Sequence, residues 1–273
     1  MTPLLFDHLS DVASNVDAAG HVFLFLDFDG TLAPIVEEPT AAMMPPKTCE
    51  LLVRLAKKGG LSVAIISGRS LADLQGRVGL EGLIYAGNHG LAICGPGLSY
   101  IEPAAARRTA ELQKLSRDLE VHLRHISGAH VENNGLTASV HYRKAPKGSQ
   151  VEIRRIVGQL IASRGDHFRI TNGLMVFEIR PQVDWNKGSA ARWILAASGK
   201  PDALPVYVGD DVTDEDAFSA LPGGITVKVG RAAGTAAKYR LERQDAVPEF
   251  LRWLAELPKK VQTRADAIRN QPT

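Results

Sequence analysis

His21-Val-Phe-Leu-Phe-Leu-Asp-Phe-Asp-Gly-Thr-Leu32 is an apolar run that ends in two carboxylates one residue apart. A run of this kind, stopping at Asp27-Phe28-Asp29-Gly30-Thr31, predicts a buried parallel strand whose carboxyl end opens into a turn. Open α/β sheets place their sites there. Alternation starts Asp27 and Asp29 on one face before Gly30 lets the backbone turn away. Two carboxylates so close repel. They persist around a divalent cation, or where a neighbour splits the pair into a nucleophile and an acid. The alternative is a strand followed by an Asp-rich turn with no chemistry.

The 273-residue chain is 45% hydrophobic, enough for one large core or two moderate ones. A net charge of +2 with interspersed signs gives no strong field for nucleic acid or an anionic membrane, and leaves a site for an anionic small molecule open. Cys49 and Cys94 are too few for a disulfide framework, and Asp7 and Asp11 stand where a signal peptide needs an apolar core. The expected compartment is the cytoplasm. No apolar segment approaches the roughly 20 residues of a membrane span.

Working outward, Ala33 to Pro46 holds Pro34, Pro39, Pro45 and Pro46 with Glu37-Glu38, and predicts an exposed loop leaving the carboxylate pair. Leu51, Leu52 and Leu55 recur at helical spacing up to Gly59-Gly60, and Leu61 to Ile66 is a second apolar strand ending in Ser67-Gly68-Arg69. Strand, helix, strand predicts a right-handed parallel unit. Ser67 then sits beside the carboxylates at the start of a helix, Ser70 to Val78, as an anion contact or as a helix cap. Leu83 to Ala86 predicts a third strand. Asn88 and His89 follow it in Gly87-Asn-His-Gly90, a tight turn.

Beyond Gly95-Pro96-Gly97 the pattern changes. Leu112, Leu115, Leu119 and Leu123 mark an amphipathic helix, followed by strands Ala129 to Glu132 and Leu136 to Arg143 joined at Asn133-Asn134-Gly135. The plan repeats with a helix, Val151 to Ser163, and strands Phe168 to Thr171 and Leu174 to Arg180 joined at Asn172-Gly173. This predicts an inserted α+β layer, residues 104–184, with one sheet face open. Alternation gathers Thr137, Ser139, His141 and Arg143, and also Leu174, Val176, Glu178 and Arg180, either to face a ligand or to meet solvent.

From Trp185 the first pattern resumes. Lys187 opens a helix, Ser189 to Ser198, where the dipole disfavours a cation unless an anion shares the site; the alternative is an exposed lysine. Val206 to Gly209 is another buried strand, running into Asp210-Asp211-Val212-Thr213-Asp214-Glu215-Asp216. Thr213 and Asp216 are expected to cap the next helix, leaving Asp210 and Asp211 outside the cap and available to a hard cation. A strand, Ile225 to Val229, and a helix, Val247 to Leu257, complete the layer, before a Lys- and Arg-containing tail expected to fray after Pro258.

Asp27-Phe28-Asp29-Gly30-Thr31, Ser67, Lys187 and Gly209-Asp210-Asp211 with Asp214 stand in one order, and the whole chain resembles the haloacid dehalogenase-like phosphatases. Leu26-Asp-Phe-Asp-Gly-Thr-Leu-Ala-Pro34, Gly87-Asn-His-Gly90, Val140-His-Tyr-Arg143, Glu178-Ile-Arg-Pro181 and Gly209 to Phe218 resemble the trehalose-6-phosphate phosphatase family. The resemblance implies an α/β fold: a Rossmann-like parallel-sheet core, residues 1–103 and 185–273, with a C2-type α+β cap at 104–184.

It further implies Asp27 as the nucleophile toward phosphorus and Asp29 as the acid and then base. Mg²⁺ would bind the Asp27 carboxylate, the Asp29 carbonyl and Asp210, while Ser67 and Lys187 hold the phosphoryl group. Asp211 and Asp214 would support them from behind. Arg69, Asn88, His89, Glu132, Arg143 and Glu178 would bind the substrate. Family members carry two lysines in the cap where this chain has Asn134 and Leu174, and Leu has no hydrogen bond to offer a hydroxyl. The implied substrate is trehalose 6-phosphate, with another sugar phosphate or a phosphomutase transfer as alternatives. The implied state is a monomer or weak dimer.

Overall fold

The computed structural model describes residues 2–36, 41–173 and 175–258. Glu37-Glu38, Leu174 and the tail after Pro258 lie outside the described residues.

Helix α1 (Leu9–Ala18) precedes strand β1 (Val22–Leu26); α2 (Pro46–Ala56), β2 (Leu61–Ile66), α3 (Leu71–Val78) and β3 (Ile84–Gly87) continue the alternation. A hairpin, β4 (Ala92–Gly95) and β5 (Leu98–Ile101), leads into α4 (Pro103–Arg107) and α5 (Thr109–Leu123). Then come β6 (His130–Asn133), β7 (Ala138–His141), α6 (Ser149–Ala162), β8 (Phe168–Gly173) and β9 (Val176–Pro181). The chain returns through α7 (Lys187–Ala197), β10 (Leu204–Gly209), α8 (Glu215–Ala220), β11 (Ile225–Val229), β12 (Tyr239–Leu241) and α9 (Val247–Glu256).

The larger sheet runs β12-β11-β10-β1-β2-β3-β4-β5. It is parallel from β12 to β3 and antiparallel across β4 and β5. All of β1 is buried at its centre, with Phe25 beside Tyr207 on one side and Ala64 on the other. Alternation divides its side chains between two layers. Val22, Leu24 and Leu26 join Leu51, Leu52, Leu55, Phe250 and Leu251. Phe23 and Phe25 join Ala190, Ala191, Ile194 and Phe218. Helices α2 and α9 thus cover one face, and α7 and α8 the other. At about 1.5–3 kcal/mol for each large apolar side chain fully buried, this two-sided burial holds a strand of only five residues at the centre.

The β4–β5 hairpin is an addition that short alternation in Leu98-Ser-Tyr-Ile101 did not announce. Its Tyr100 stacks on Trp185 at 4.9 Å and packs on Trp193 at 4.6 Å, while Trp185 Nε1 donates to the Gly90 carbonyl at 2.8 Å. The segment leading out to the second layer and the segment returning from it are thereby tied together.

That second layer is an antiparallel sheet, β6-β7-β9-β8. Leu112, Leu115, Leu119 and Leu123 of α5 and Ile153, Ile156 and Val157 of α6 pack on Val140, Phe177 and Ile179. The opposite face carries a polar row, Glu132, Ser139, Glu178 and Thr171, in direct register across the strands.

Helices α7 and α8 meet at Gly188, where a Cβ would come within 2.4 Å of the Asp216 carbonyl and 2.8 Å of the Ala220 methyl. Gly188→Ala should therefore destabilise the chain by about 1–3 kcal/mol, the usual range for overpacking. The check is a lower urea midpoint at unchanged slope; a wild-type midpoint would show that the two helices part freely.

Candidate active site

The carboxyl ends of β10, β1, β2 and β3 are adjacent in the sheet, and each delivers polar residues. β1 ends at Asp27, β2 at Ser67, β3 at Asn88 and His89, and β10 at Asp210 and Asp211. Gly30, at φ +81°, turns the chain after Asp29, and a Cβ there would lie 2.1 Å from Asp210 Oδ2. Glycine at that position is what lets the Asp210 carboxylate close on the turn.

Lys187 lies in the first turn of α7 and is buried, not snorkelling. Its Nζ donates to Asp27 Oδ1 at 2.7 Å and to Asp214 Oδ1 at 2.8 Å. Asp214 also accepts from the Tyr207 hydroxyl at 2.8 Å and from the Asp211 amide at 2.9 Å. Burial alone would lower the Lys187 pKa, but the Asp214 and Asp27 carboxylates more than reverse this and keep it charged. Burial raises Asp27 well above the ordinary carboxylate range against the pull of Lys187, and Asp214 and Asp210 add to the rise. Asp210 is raised to about 6 by burial and then by Asp214.

Two carboxylates thus share one ammonium with a third, Asp210, beside them, and oxygens of Asp27, Asp210 and Asp214 lie within 4.8 Å of one another. Excess negative charge on hard oxygen donors is the chemistry of a divalent-cation site. Asp214 is already committed to Lys187, Tyr207 and Asp211, which leaves Asp27 and Asp210 as the carboxylates with oxygens to spare.

A cavity of about 300 Å³ opens above these strand ends and is roofed by the polar row of the second layer. Asp27, Asp29, Ser67, Arg69, His89, Lys187, Asp210 and Asp211 line it from below, and Glu132, Arg143 and Glu178 from above. Glu132 pairs with His141 at 3.0 Å, and hydrogen bonding from that imidazole lowers its pKa. Glu178 takes Arg180 Nη2 at 2.5 Å and meets His89 Nε2 at 3.2 Å. Burial disfavours its charge, yet His89 and Arg180 hold it well below the usual range. His89 is depressed by burial, partly countered by Glu178.

One residue expected to bind substrate stands elsewhere, whereas Asp214, expected behind the site, lies beneath the cavity, fully buried. Asn88 does not line it: its amide donates to Thr137 Oγ1 at 2.8 Å and to the Asn134 carbonyl at 2.9 Å, so it joins the two layers. Ser67 is no helix cap, since Ser70 accepts from the Asp73 amide instead. The expected cap in the acidic loop needs correction as well. Asp211 is itself the N-cap, in a reciprocal box with Asp214, so it is accounted for by the turn and only Asp210 is left over.

Sequence reasoning missed Lys228, whose Nζ donates to the carbonyls of Asp210 at 2.5 Å and Asp211 at 3.1 Å from the middle of β11. A lysine inside the apolar run Ile225-Thr-Val-Lys-Val229 was the available signal. Thr31, which donates to Asp210 Oδ1 at 3.4 Å, and Tyr207 offered no comparable one.

The fold is that of a haloacid dehalogenase-like hydrolase from Bacteroides thetaiotaomicron, which superposes with a TM-score of 0.62 at 16% identity, over 86% of this chain and 99% of that one. The profile of the trehalose-phosphatase family matches residues 25–244, and the chain belongs to that family. It is 38% identical over 251 residues to the trehalose-phosphate phosphatase of Mycobacterium tuberculosis (strain ATCC 25618 / H37Rv), covering 89% of this chain and 63% of that protein. The relative in Mycobacterium marinum is 37% identical over 267 residues, covering 91% of this chain and 67% of the other. The chain therefore spans less than two thirds of the length of the Mycobacterium tuberculosis protein. The Candida albicans trehalose-6-phosphate phosphatase C-terminal domain superposes with a TM-score of 0.79 at 24% identity, over 94% of this chain and 99% of that one. An Aspergillus fumigatus trehalose-6-phosphate phosphatase gives 0.62 at 27% identity, over 93% and 99%.

Removing Lys187 strands buried carboxylates against one another. Lys187→Met should destabilise the chain by about 3–5 kcal/mol near neutral pH, the range for breaking a buried pair on one side. The deficit should shrink toward acid pH, because the raised Asp27 takes up a proton and the repulsion falls. Urea melts at two pH values check this; a loss of about 1 kcal/mol or less, as for an exposed pair, would refute it.

Proposed function

We propose that this chain is a Mg²⁺-dependent phosphoric monoester hydrolase that releases phosphate from trehalose 6-phosphate through an aspartyl-phosphate on Asp27. The observation that carries the reading is Asp27 itself: a buried carboxylate at the central strand end, oriented by Lys187 and open to a cavity with a polar, hydroxyl-compatible roof. Membership of the trehalose-phosphatase family supports the substrate class. Residues 1–103 and 185–273 would form the catalytic core and residues 104–184 the cap that selects the sugar.

In this reading an Asp27 oxygen attacks phosphorus, and Asp29, in the same strand-end turn, protonates the departing sugar oxygen and then deprotonates the attacking water. Ser67 and Lys187 hold the phosphoryl oxygens, and Lys187 keeps Asp27 in line through its 2.7 Å contact. Asp27, Asp210 and the Asp29 carbonyl would hold Mg²⁺, which would offset charge on the phosphoryl group when bound. Glu132, Arg143 and Glu178 face the space above, where sugar hydroxyls would lie. Asn134 stands at that end too, and its amide is able to hydrogen-bond a hydroxyl. Two free cysteines and a non-disulfide fold suit the cytoplasm, where we place the reaction.

Assaying phosphate release over a panel of sugar phosphates tests the proposal. Trehalose 6-phosphate should be turned over best, and Asp27→Asn should abolish release on every substrate while leaving the fold intact. A different sugar phosphate in first place would move the specificity, and an active Asp27→Asn protein would remove the covalent step.

Metal loading gives a second check, with melting temperature as its readout. A carboxyl raised to about 6 when folded and near 3.8 when unfolded favours the folded state below the lower value, and that contribution is lost as pH rises through 6. Mg²⁺ replaces the lost proton as the neutralising charge, so it should raise the melting temperature more near pH 7 than near pH 5. Chelator should stop turnover and excess Mg²⁺ restore it. An equal shift at both pH values would mean that Asp210 is not a ligand.

A further inference from the structure

Arg69 was expected to touch substrate, but its guanidinium is turned to protein groups. Its side chain is 12% exposed, and Nε and Nη2 donate to Asp29 Oδ2 and Oδ1 at 2.7 and 2.6 Å, a bidentate pair. Nη1 donates to Asp73 Oδ2 at 2.9 Å. Asp73 in turn accepts from Arg77 Nε at 2.8 Å, and Arg77 Nη1 reaches the Ala42 carbonyl at 2.7 Å. The plane of Arg69 also lies 5.5 Å from the Phe28 ring. Asp29, by contrast, hangs from a turn with 40% of its side chain exposed.

We infer that Arg69 is a positioning residue for Asp29: braced by Asp73 and Phe28, it fixes where the Asp29 carboxyl group sits over the phosphorus. The inference rests on the phosphatase reading above. A carboxylate has about four lone-pair sites, and a bidentate guanidinium takes one on each oxygen, so two remain for proton transfer. In the first half-reaction an Asp27 oxygen bonds to phosphorus, the bond from phosphorus to the sugar oxygen breaks, and that oxygen takes the Asp29 proton. In the second, water gives a proton to Asp29 while its oxygen bonds to phosphorus, and the bond from phosphorus to Asp27 breaks to free phosphate. Both proton transfers need the carboxyl within hydrogen-bond reach at a set angle, and an ångström of misplacement costs about a hundredfold.

The test is steady-state kinetics of the full chain with Mg²⁺ on two substrates: trehalose 6-phosphate, whose alkoxide leaves only with a proton, and 4-nitrophenyl phosphate, whose phenolate leaves without one. Arg69→Met should lower kcat/KM on trehalose 6-phosphate about a hundredfold with KM nearly unchanged, and on the aryl phosphate by only a few-fold. Arg69→Lys should recover part of the loss, since one contact to Asp29 survives. Asp73→Asn, which loosens the brace, should show the same substrate asymmetry at smaller size and serves if Arg69→Met does not fold. Equal losses on both substrates, or a KM rise that accounts for the loss, would overturn the inference and make Arg69 a substrate ligand. A wild-type chain inactive on both would overturn the phosphatase reading itself.

Discussion

Everything at the strand ends depends on one buried ammonium. Lys187 lies between Asp27 and Asp214, none of the three is exposed, and a fourth group, Tyr207, ties Asp214 from below. Charges so deep persist only when each is paired and hydrogen-bonded. The sheet register supplies this pairing, because β10 beside β1 brings Tyr207 level with Phe25 and carries the acidic loop to the place where β1 stops. The site is therefore a property of the strand order, set before any side chain adjusts.

One ammonium does not neutralise three carboxylates, and the surroundings are arranged accordingly. Lys228 donates to backbone carbonyls of the acidic loop and pairs with Glu215 at 3.7 Å, so it fixes the position of Asp210 without cancelling its carboxylate. The guanidinium groups are further up, Arg69 on Asp29 and Arg180 on Glu178. Negative charge is left concentrated at the floor and paired nearer the roof. The proposed phosphate ester, anionic at one end and neutral but hydroxyl-rich at the other, would match that gradient with a cation on the floor.

How much of this was legible varies with the range of the interaction. β1, β2 and β10 read directly from apolar runs, because burial on both faces leaves no alternation to misjudge, and the helix-hairpin order of the second layer followed from its changed periodicity. The turn after β1 announced itself through Gly30. The acidic loop misled, since Asp211 and Asp214 satisfy a capping box whose spacing was present in Asp-Val-Thr-Asp but was read as starting at Thr213. Contacts between distant segments left no trace: Arg69 and Asp29 are forty residues apart, and nothing local distinguishes an arginine that binds a ligand from one that holds a carboxylate. Asn88 belongs with them, because a turn asparagine looks the same whether its amide meets substrate or a hairpin.

The aromatic knot of Tyr100, Trp185 and Trp193 decides how the upper layer is attached. The chain climbs to that layer beside Tyr100 and comes back down beside Trp185; the two rings are stacked, and Trp185 donates to the Gly90 carbonyl. A second tie lies at Asn88, whose amide holds Thr137 and the Asn134 carbonyl. The upper layer is therefore pinned to the strand ends both at its two chain crossings and at its first hairpin, and Glu178 meets His89 across the same seam. Attachment at separate points makes the roof a braced lintel over the carboxylates, so a change at either anchor is felt by the polar row that spans them.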